Sequence, residues 1–404
     1  MSTAASTSSL EAGHRIVRIE REARKLRVIW GDGHQSVFHY VWLRDNCACA
    51  QCGEAGSSQL RIDGLLKMSL DVAPLSAEVD RNGRLTVSWS PDRHVTSFDP
   101  DWLRARCYSR AERERRRHKP IHWGKELGNR IPNADFAAAV EDEASRLEAM
   151  ILLRDYGFVV LRNVPPTPDG LEKVAGMIGY GVRDTYYGRV FHIKVEDNAG
   201  LKLSSTQSTI LPHNDEGWRA VPLGIVMFHC IEASRDGGGQ NYLIDGFRIC
   251  EVLRAEDPEA FDLLSRVTLK FERSIPGEVE MRSEGKIISL DAEGNVVGLR
   301  YPIRFRGPLD IDEDLVEPVY AAIRKLIGLI NSGDFDVTFL LQPGEALAFD
   351  NHRLLHGRTG FSGRRHIQFG YVDRDDFHLQ YRMLARRLGR HADADIVLGR
   401  GALA

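Results

Sequence analysis

The chain sets His213 and Asp215 two positions apart within Leu211-Pro-His-Asn-Asp-Glu-Gly-Trp218. In an extended segment that spacing turns both side chains to one face. An imidazole and a carboxylate so placed, joined by a second histidine from far along the chain, make the two-His-one-carboxylate site of non-haem Fe(II) oxygenases. His356, in Ala348-Phe-Asp-Asn-His-Arg-Leu-Leu-His-Gly-Arg358, is the expected third ligand, with His352 as its rival. The apolar run around Leu347, after the Gln342-Pro-Gly344 turn, reads as a strand ending in a functional loop that carries it. An arginine beyond that loop, on a strand beginning near Arg365, can clamp the far carboxylate of 2-oxoglutarate through a two-pronged ion pair. A His-x-Asp pair alone is more often a loop histidine beside a surface carboxylate; the three pieces together point to oxidation at iron.

A second cluster lies near the start of the chain. In Cys47-Ala-Cys-Ala-Gln-Cys52 three thiolates can converge on one tetrahedral ion, and a structural Zn(II) then needs one more ligand. His94 is the candidate, because it directly follows the alternating strand Arg84-Leu-Thr-Val-Ser-Trp89, whose end can present it to the cysteines. Cys107, Cys230 and Cys250 are isolated and read as small buried apolar residues. Six cysteines in a chain of this length do not suggest a disulfide framework.

The elements that must position these residues follow from length and pattern. With 404 residues the chain exceeds what one core usually organises, and 43% apolar residues are enough to fill two. Residues 1–13, rich in Ser, Thr and Ala, are expected to be disordered. Short alternating strands then fill residues 14–107, a small β-rich domain whose modest core a metal would staple. A basic, polar connector spans 108–132, and a second domain spans 133–404. That domain opens with one helix, capped at Asn133 or Asp135 and ending near Asp155, and continues as many strands with few helices, which favours a closed double sheet, a jelly roll. The balance of 54 Lys and Arg against 57 Asp and Glu gives a net charge of −3, which supplies no global pull towards nucleic acid or membrane. No apolar run reaches the roughly 20 residues that span a bilayer, so a cytoplasmic protein acting on a small molecule is expected.

The chain resembles the γ-butyrobetaine and trimethyllysine hydroxylases, a branch of the taurine dioxygenase-like Fe(II)/2-oxoglutarate oxygenases. The resemblance runs from about Val17 to Leu384 and rests on Trp42-Leu-Arg-Asp-Asn-Cys-Ala-Cys-Ala-Gln-Cys52, Asp101-Trp-Leu103, Phe228-His-Cys-Ile231, Ile244-Asp-Gly-Phe247 and Phe349-Asp-Asn-His-Arg-Leu-Leu-His-Gly-Arg358. It implies a zinc-bearing β domain followed by a double-stranded β-helix, with zinc on Cys47, Cys49, Cys52 and His94 and iron on His213, Asp215 and His356. It places the oxoglutarate arginine at Arg365, with Arg364 as the alternative, and a further oxoglutarate contact at Asn241, where Thr or Ser is usual. It also implies O2 as co-substrate, ascorbate as an activator in vitro, and a homodimer. The reaction implied is hydroxylation of an unactivated C–H bond in a small amine-containing acid, coupled to conversion of oxoglutarate to succinate and CO2; desaturation or cyclisation would use the same ligands. A non-catalytic iron or small-molecule sensor is the reading from another class.

The substrate side departs from the family. Tyr187 and Tyr371 match walls of an aromatic cage that holds a quaternary ammonium, Phe191 stands where Trp is usual, and Ser205 replaces another wall. The paired amides for a substrate carboxylate read Tyr301-Pro-Ile303 here. Arg189, Trp218 and Arg219 bring charge and ring surface near the expected pocket, which predicts a substrate with another anionic or bulkier group.

Overall fold

A computed structural model of the protein describes residues 14–53, 62–128, 130–194 and 207–398. The expected disordered opening (1–13), Ser205 and residues 54–61 of the stretch expected to form short strands lie outside the described residues; Ile62, within that stretch, begins the helix Ile62–Lys67. The chain divides into two compact units, Met1–Arg117 and His118–Ala404.

In the first unit, period-two alternation makes two three-stranded antiparallel sheets. One holds β1 (Ile16–Arg21), β2 (Lys25–Trp30) and β3 (Gln35–His39); the other holds β4 (Ala73–Val79), β5 (Leu85–Ser90) and β6 (Val95–Phe98). Leu26, Val28 and Trp30 on β2, and Leu85, Val87 and Trp89 on β5, occupy alternate positions and are all buried in one core. The two indole N–H groups are satisfied there by Ser36 and Thr96, each at 2.8 Å.

The polar connector expected over 108–132 is largely exposed and contains the boundary between the two units, but it is not without structure. Ser109 caps a helix, Arg110–Arg115, whose Glu112 is buried and paired with Arg104 at 3.0 Å. Further on, Trp123 and Leu127 sit in the core of the second unit. A buried ion pair in one unit and buried apolar side chains in the other anchor the segment at these points, which its charge run did not reveal.

The second unit carries β7 (Asn133–Asp135), β8 (Phe158–Arg162), β9 (Phe191–Lys194), β10 (Ile210–His213), β11 (Ile225–Glu232) and β12 (Asn241–Asp245). Two hairpins follow, β13 (Leu269–Ile275) with β14 (Val279–Gly285) and β15 (Ile288–Leu290) with β16 (Val296–Leu299). Then come β17 (Asp336–Phe339), β18 (Ala346–Asp350), β19 (Leu354–Arg358) and β20 (His366–Val372). One sheet has the order β7-β8-β18-β11-β20-β9 and the other β10-β19-β12-β17, so β9 to β12 and again β17 to β20 alternate between sheets. Alternation along each strand divides the side chains. Val159, Leu161, Met227 and Ala348 face a core shared with the helices Glu143–Tyr156 and Gly170–Ile178, whereas Phe158, Val160, Val226, Leu347 and Phe349 meet Leu243, Val337 and Leu354 of the other sheet.

The single helix expected from Asn133 or Asp135 to Asp155 is two, Phe136–Glu141 and Glu143–Tyr156. Asp142 is extended (φ −124°) and its carboxylate accepts from Ser145 N at 2.7 Å, so it starts a second helix instead of continuing the first. No helix among the described residues is long and apolar enough to cross a membrane.

Candidate active site

Neighbouring strands β10 and β19 are in a register that sets His213 opposite His356. His356 therefore lies within a strand, not in the loop expected for it, because Leu354 and Leu355 carry apolar burial on past the turn at 351–353. Asp215 lies in the turn after β10, yet its Oδ1 stands 3.5 Å from His213 Nε2 and 3.7 Å from His356 Nε2. The three ligand atoms lie within 4.8 Å of one another, and the 3.5 and 3.7 Å separations from Asp215 are ones that a single ion with bonds of about 2 Å can bridge. His352 is excluded from this group: it sits in the hairpin turn with Nε2 3.2 Å from Pro222 O.

Two asparagines that the sequence reading passed over fix the turn. Asn351 accepts from Asp215 N at 2.8 Å and donates to Asp215 O at 2.9 Å, while Asn214 donates to Asn351 O and Leu354 O at 2.8 and 2.9 Å. His213 Nδ1 donates to Leu211 O at 2.9 Å, which leaves the lone pair of Nε2 directed at the cluster. Burial pushes His356 down to about 3, so its ring is neutral, the form that binds a metal. Burial also opposes ionisation of Asp215, but the adjacent imidazoles outweigh it and hold the carboxyl below its usual range.

Beside the triad a cavity is lined by Asn241, Arg358 and Arg365, with Ile193, Ile210, Phe228, Ile367 and Phe369 as apolar walls. Arg365 is buried and Arg364 exposed, so only the former reaches it. Arg358 is an addition to the expected set. It lies two residues after His356 on β19, hence on the same face, and opposite Asn241 on β12. Burial lowers both guanidinium pKa values to about 10, and Arg365 adds repulsion at Arg358. The amide Nδ2 of Asn241 is buried with no partner among the described residues. Two buried cations and an orphaned donor suit a dicarboxylate. The turn at Gly237-Gly-Gly239 closes tightly over this group: Gly239 has φ +69°, and a Cβ on it would stand 3.1 Å from Arg365 Nε.

The residues expected around the substrate divide. Tyr187, Phe191, Phe369 and Tyr371 form one aromatic run, with successive ring centroids 5.7, 5.0 and 5.7 Å apart. The Tyr371 hydroxyl donates to Asp215 Oδ2 at 3.1 Å, so this ring also orients a member of the triad. The other three expected residues have local partners. Arg189 is exposed, its nearest carboxylate Asp184 at 3.7 Å. Arg219 is paired with Glu216, three residues before it. Trp218 is buried with its ring 4.4 Å from Phe305, part of a hydrophobic core. Local partners won these side chains.

In the first unit His94 Nε2 stands 3.2, 3.6 and 3.5 Å from the sulfurs of Cys47, Cys49 and Cys52. A tetrahedral ion with ordinary zinc–sulfur and zinc–nitrogen bonds separates such ligands by about 3.5 Å. Arg44 donates to Cys52 Sγ at 3.2 Å.

Comparison with known proteins adds relatives to this geometry. The taurine catabolism dioxygenase TauD, TfdA family matches residues 116–371, and the gamma-butyrobetaine hydroxylase-like N-terminal family matches residues 17–104. The gamma-butyrobetaine dioxygenase of Pseudomonas sp. (strain AK-1) is 33% identical over 371 residues, covering 90% of this chain and 94% of the relative. The Homo sapiens gamma-butyrobetaine dioxygenase is 29% identical over 380 residues, covering 91% and 96%. The mitochondrial trimethyllysine dioxygenase of Rattus norvegicus is 32% identical over 362 residues, covering 88% and 83%.

Proposed function

From the premise that the chain belongs to the taurine catabolism dioxygenase TauD, TfdA family and is a 2-oxoglutarate-dependent dioxygenase, we propose that it hydroxylates an unactivated C–H bond of a small amine-bearing acid. In this reading the second unit is a double-stranded β-helix, His213, Asp215 and His356 hold Fe(II), and Arg365 with Arg358 and Asn241 holds oxoglutarate. Cys47, Cys49, Cys52 and His94 hold a structural Zn(II). The observation that carries the reading is the meeting of the triad, with ligand atoms within 4.8 Å, and a cavity lined by two buried arginines.

Bound there, iron with oxoglutarate and O2 supplies the oxidising power that inserts oxygen into a C–H bond while oxoglutarate becomes succinate and CO2. The protein's own part is positional. His213, Asp215 and His356 would hold the ion, and Asn214 and Asn351 fix the turn that carries Asp215, so that this carboxylate stays aimed at the two imidazoles. Arg358 and Arg365 fix a dianion in one orientation. Tyr187 and Phe191 offer ring surface to the amine end, as the substrates named for the relatives would need.

The test is succinate release by protein supplied with Fe(II), oxoglutarate and ascorbate, over a panel of amine-bearing acids. Coupled release with one member, abolished in Asp215→Ala, is expected. Oxoglutarate consumption that none of the panel stimulates would remove the substrate class and leave the dioxygenase.

A further inference from the structure

The four-residue strand β9 (Phe191–Lys194) ends the six-stranded sheet. It pairs with β20 so that Phe191 lies opposite Phe369, His192 opposite Gln368, Ile193 opposite Ile367 and Lys194 opposite His366. Alternation sends the two sets of side chains to opposite faces. Ile193, Ile367 and Phe369 line the cavity beside the triad, and the Phe191 ring stands 5.0 Å from that of Phe369. His192, Lys194, His366 and Gln368 therefore share the other face, away from the cavity.

On that face two imidazoles meet. His192 Nδ1 stands 2.8 Å from His366 Nε2, with ring centroids 5.1 Å apart and planes 38° from parallel. The two residues are diagonal neighbours across the strand pair, a spacing that long side chains bridge. His192 is exposed and His366 half-buried, so solutes reach the pair. Burial first, and then the charge of Lys194, hold both imidazoles below their usual pKa. Both rings are then neutral at neutral pH, the form that ligates a metal. Gln368 is otherwise engaged, its carbonyl meeting His229 Nδ1 at 2.9 Å and its amide donating to Pro168 O at 2.7 Å. Glu232, the β11 partner of His366, brings a negative charge that offsets Lys194.

The separation selects the ion. Two nitrogens 2.8 Å apart, each about 2 Å from a common ion, subtend about 90° there, whereas a tetrahedral ion would hold them about 3.3 Å apart. Right angles between imidazole nitrogens belong to tetragonal ions, Cu(II) and Ni(II). We propose that His192 and His366 form a further metal site, distinct from the triad and from the cysteine cluster, which takes Cu(II) or Ni(II) and clamps β9 to β20. When the ion binds, the ring that donates in the hydrogen bond moves its proton to its other nitrogen, and the exposed His192 ring turns until both lone pairs face the ion. No net proton is released. Water or a solute ligand fills the ion's other positions. Because the opposite face of β9 lines the cavity, a clamp on the outer face steadies the wall that carries Ile193 and Phe191. The site itself does not depend on the dioxygenase reading.

Ni(II) is the probe, because it binds imidazole without the thiol oxidation that Cu(II) brings. It is titrated by calorimetry into full-length, tag-free protein carrying His213→Ala and Asp215→Ala, so that the triad does not compete. Adding His192→Asn to this background is expected to weaken one Ni(II) equivalent at least about 10-fold, and adding His366→Asn to do the same. Any Ni(II) held by the cysteine cluster is common to all three proteins and drops out of the comparison. Hydrogen exchange gives a second readout: Ni(II) should slow exchange at the amides of residues 191–194 in the background protein and in neither Asn variant. Should one Asn variant unfold, as a thermal melt would show, the other carries the comparison. Absence of Ni(II) binding to the background protein, or binding that neither substitution weakens, overturns the site. Unchanged exchange along β9 with Ni(II) bound to the pair overturns the clamp.

Discussion

Arg364 and Arg365 are adjacent, carry the same charge and have opposite settings. Arg365 is buried in the wall of the cavity beside His213, Asp215 and His356, and Arg364 is exposed. Charge-assisted hydrogen bonds contribute about 1.5–3 kcal/mol each, so losing a two-pronged contact raises the oxoglutarate requirement roughly 100-fold. Arg365→Ala is expected to do this with iron binding unchanged, and Arg364→Ala to stay within about twofold, as steady-state kinetics in oxoglutarate and iron titration can show. Equal effects of the two would put the co-substrate elsewhere. Arg358→Ala should fall between them, since Arg358 reaches the same cavity and also donates to Ser208 O at 2.7 Å. The legible part of this site was the part encoded by short spacing and residue type: a His-x-Asp pair, a distant histidine, an arginine beyond it. Asn214, Asn351 and Arg358 were not legible, because each acts through a partner on another strand, and nothing in the local sequence marks an asparagine that will meet a backbone more than a hundred residues away. The local partners of Arg219 and Trp218, Glu216 and Phe305, were likewise not legible.

The hairpin of β18 and β19 carries His356, and its turn is tied to β12 through one ion pair. Arg353 donates from Nε and Nη2 to the two oxygens of Asp245 at 3.0 and 2.8 Å, with side-chain exposures of 3% and 0%. Asp245 also accepts from Phe247 N at the start of the helix Gly246–Glu256 and from Trp123 N, so one carboxylate joins a strand end, a helix cap and a turn. Removing one member of a buried pair leaves the other charge uncompensated, at a cost of about 3–5 kcal/mol. Asp245→Ala is therefore expected to lower the unfolding free energy, read from denaturant titration, by that order and to weaken iron binding through displacement of β19. A loss below about 1 kcal/mol would mean that water or another group compensates Arg353. Strand periodicity was readable at this scale, since Leu85–Ser90 and Ala346–Asp350 follow their alternating or wholly apolar patterns. Helices were read less well. Asp257-Pro258 is a cap followed by proline at the first helical position, yet the helix Pro258–Arg266 was not expected; nor was Arg374–Arg387, whose apolar residues Phe377, Tyr381, Leu384 and Ala385 are diluted by charge.

The two proposed metal sites draw on different parts of the chain: every residue of the Cys47 cluster lies in Met1–Arg117, and every residue of the His213 triad in His118–Ala404. Their ligands also differ in softness, thiolates in the first and imidazole with carboxylate in the second, so zinc and iron have separate preferred places. Within the first unit the cysteines follow the helix Tyr40–Asp45 and His94 lies in the turn between β5 and β6, so an ion there closes a loop between a helix end and a hairpin. Loop closure of this kind stabilises a small unit by restricting its unfolded chain, and the metal adds its own binding energy to folding. The purified protein is expected to hold about one zinc ion and to bind about one iron ion. Cys49→Ser should lose the zinc and lower the melting temperature of the first unit, while Fe(II) stoichiometry at the triad stays the same. His213→Ala should do the reverse, lowering iron and sparing zinc. Elemental analysis of the two variants decides. Zinc lost from His213→Ala, or iron lost from Cys49→Ser, would show that the sites are crossed or coupled, and a fully stable zinc-free Cys49→Ser protein would show that the β sheets of the first unit hold without a staple.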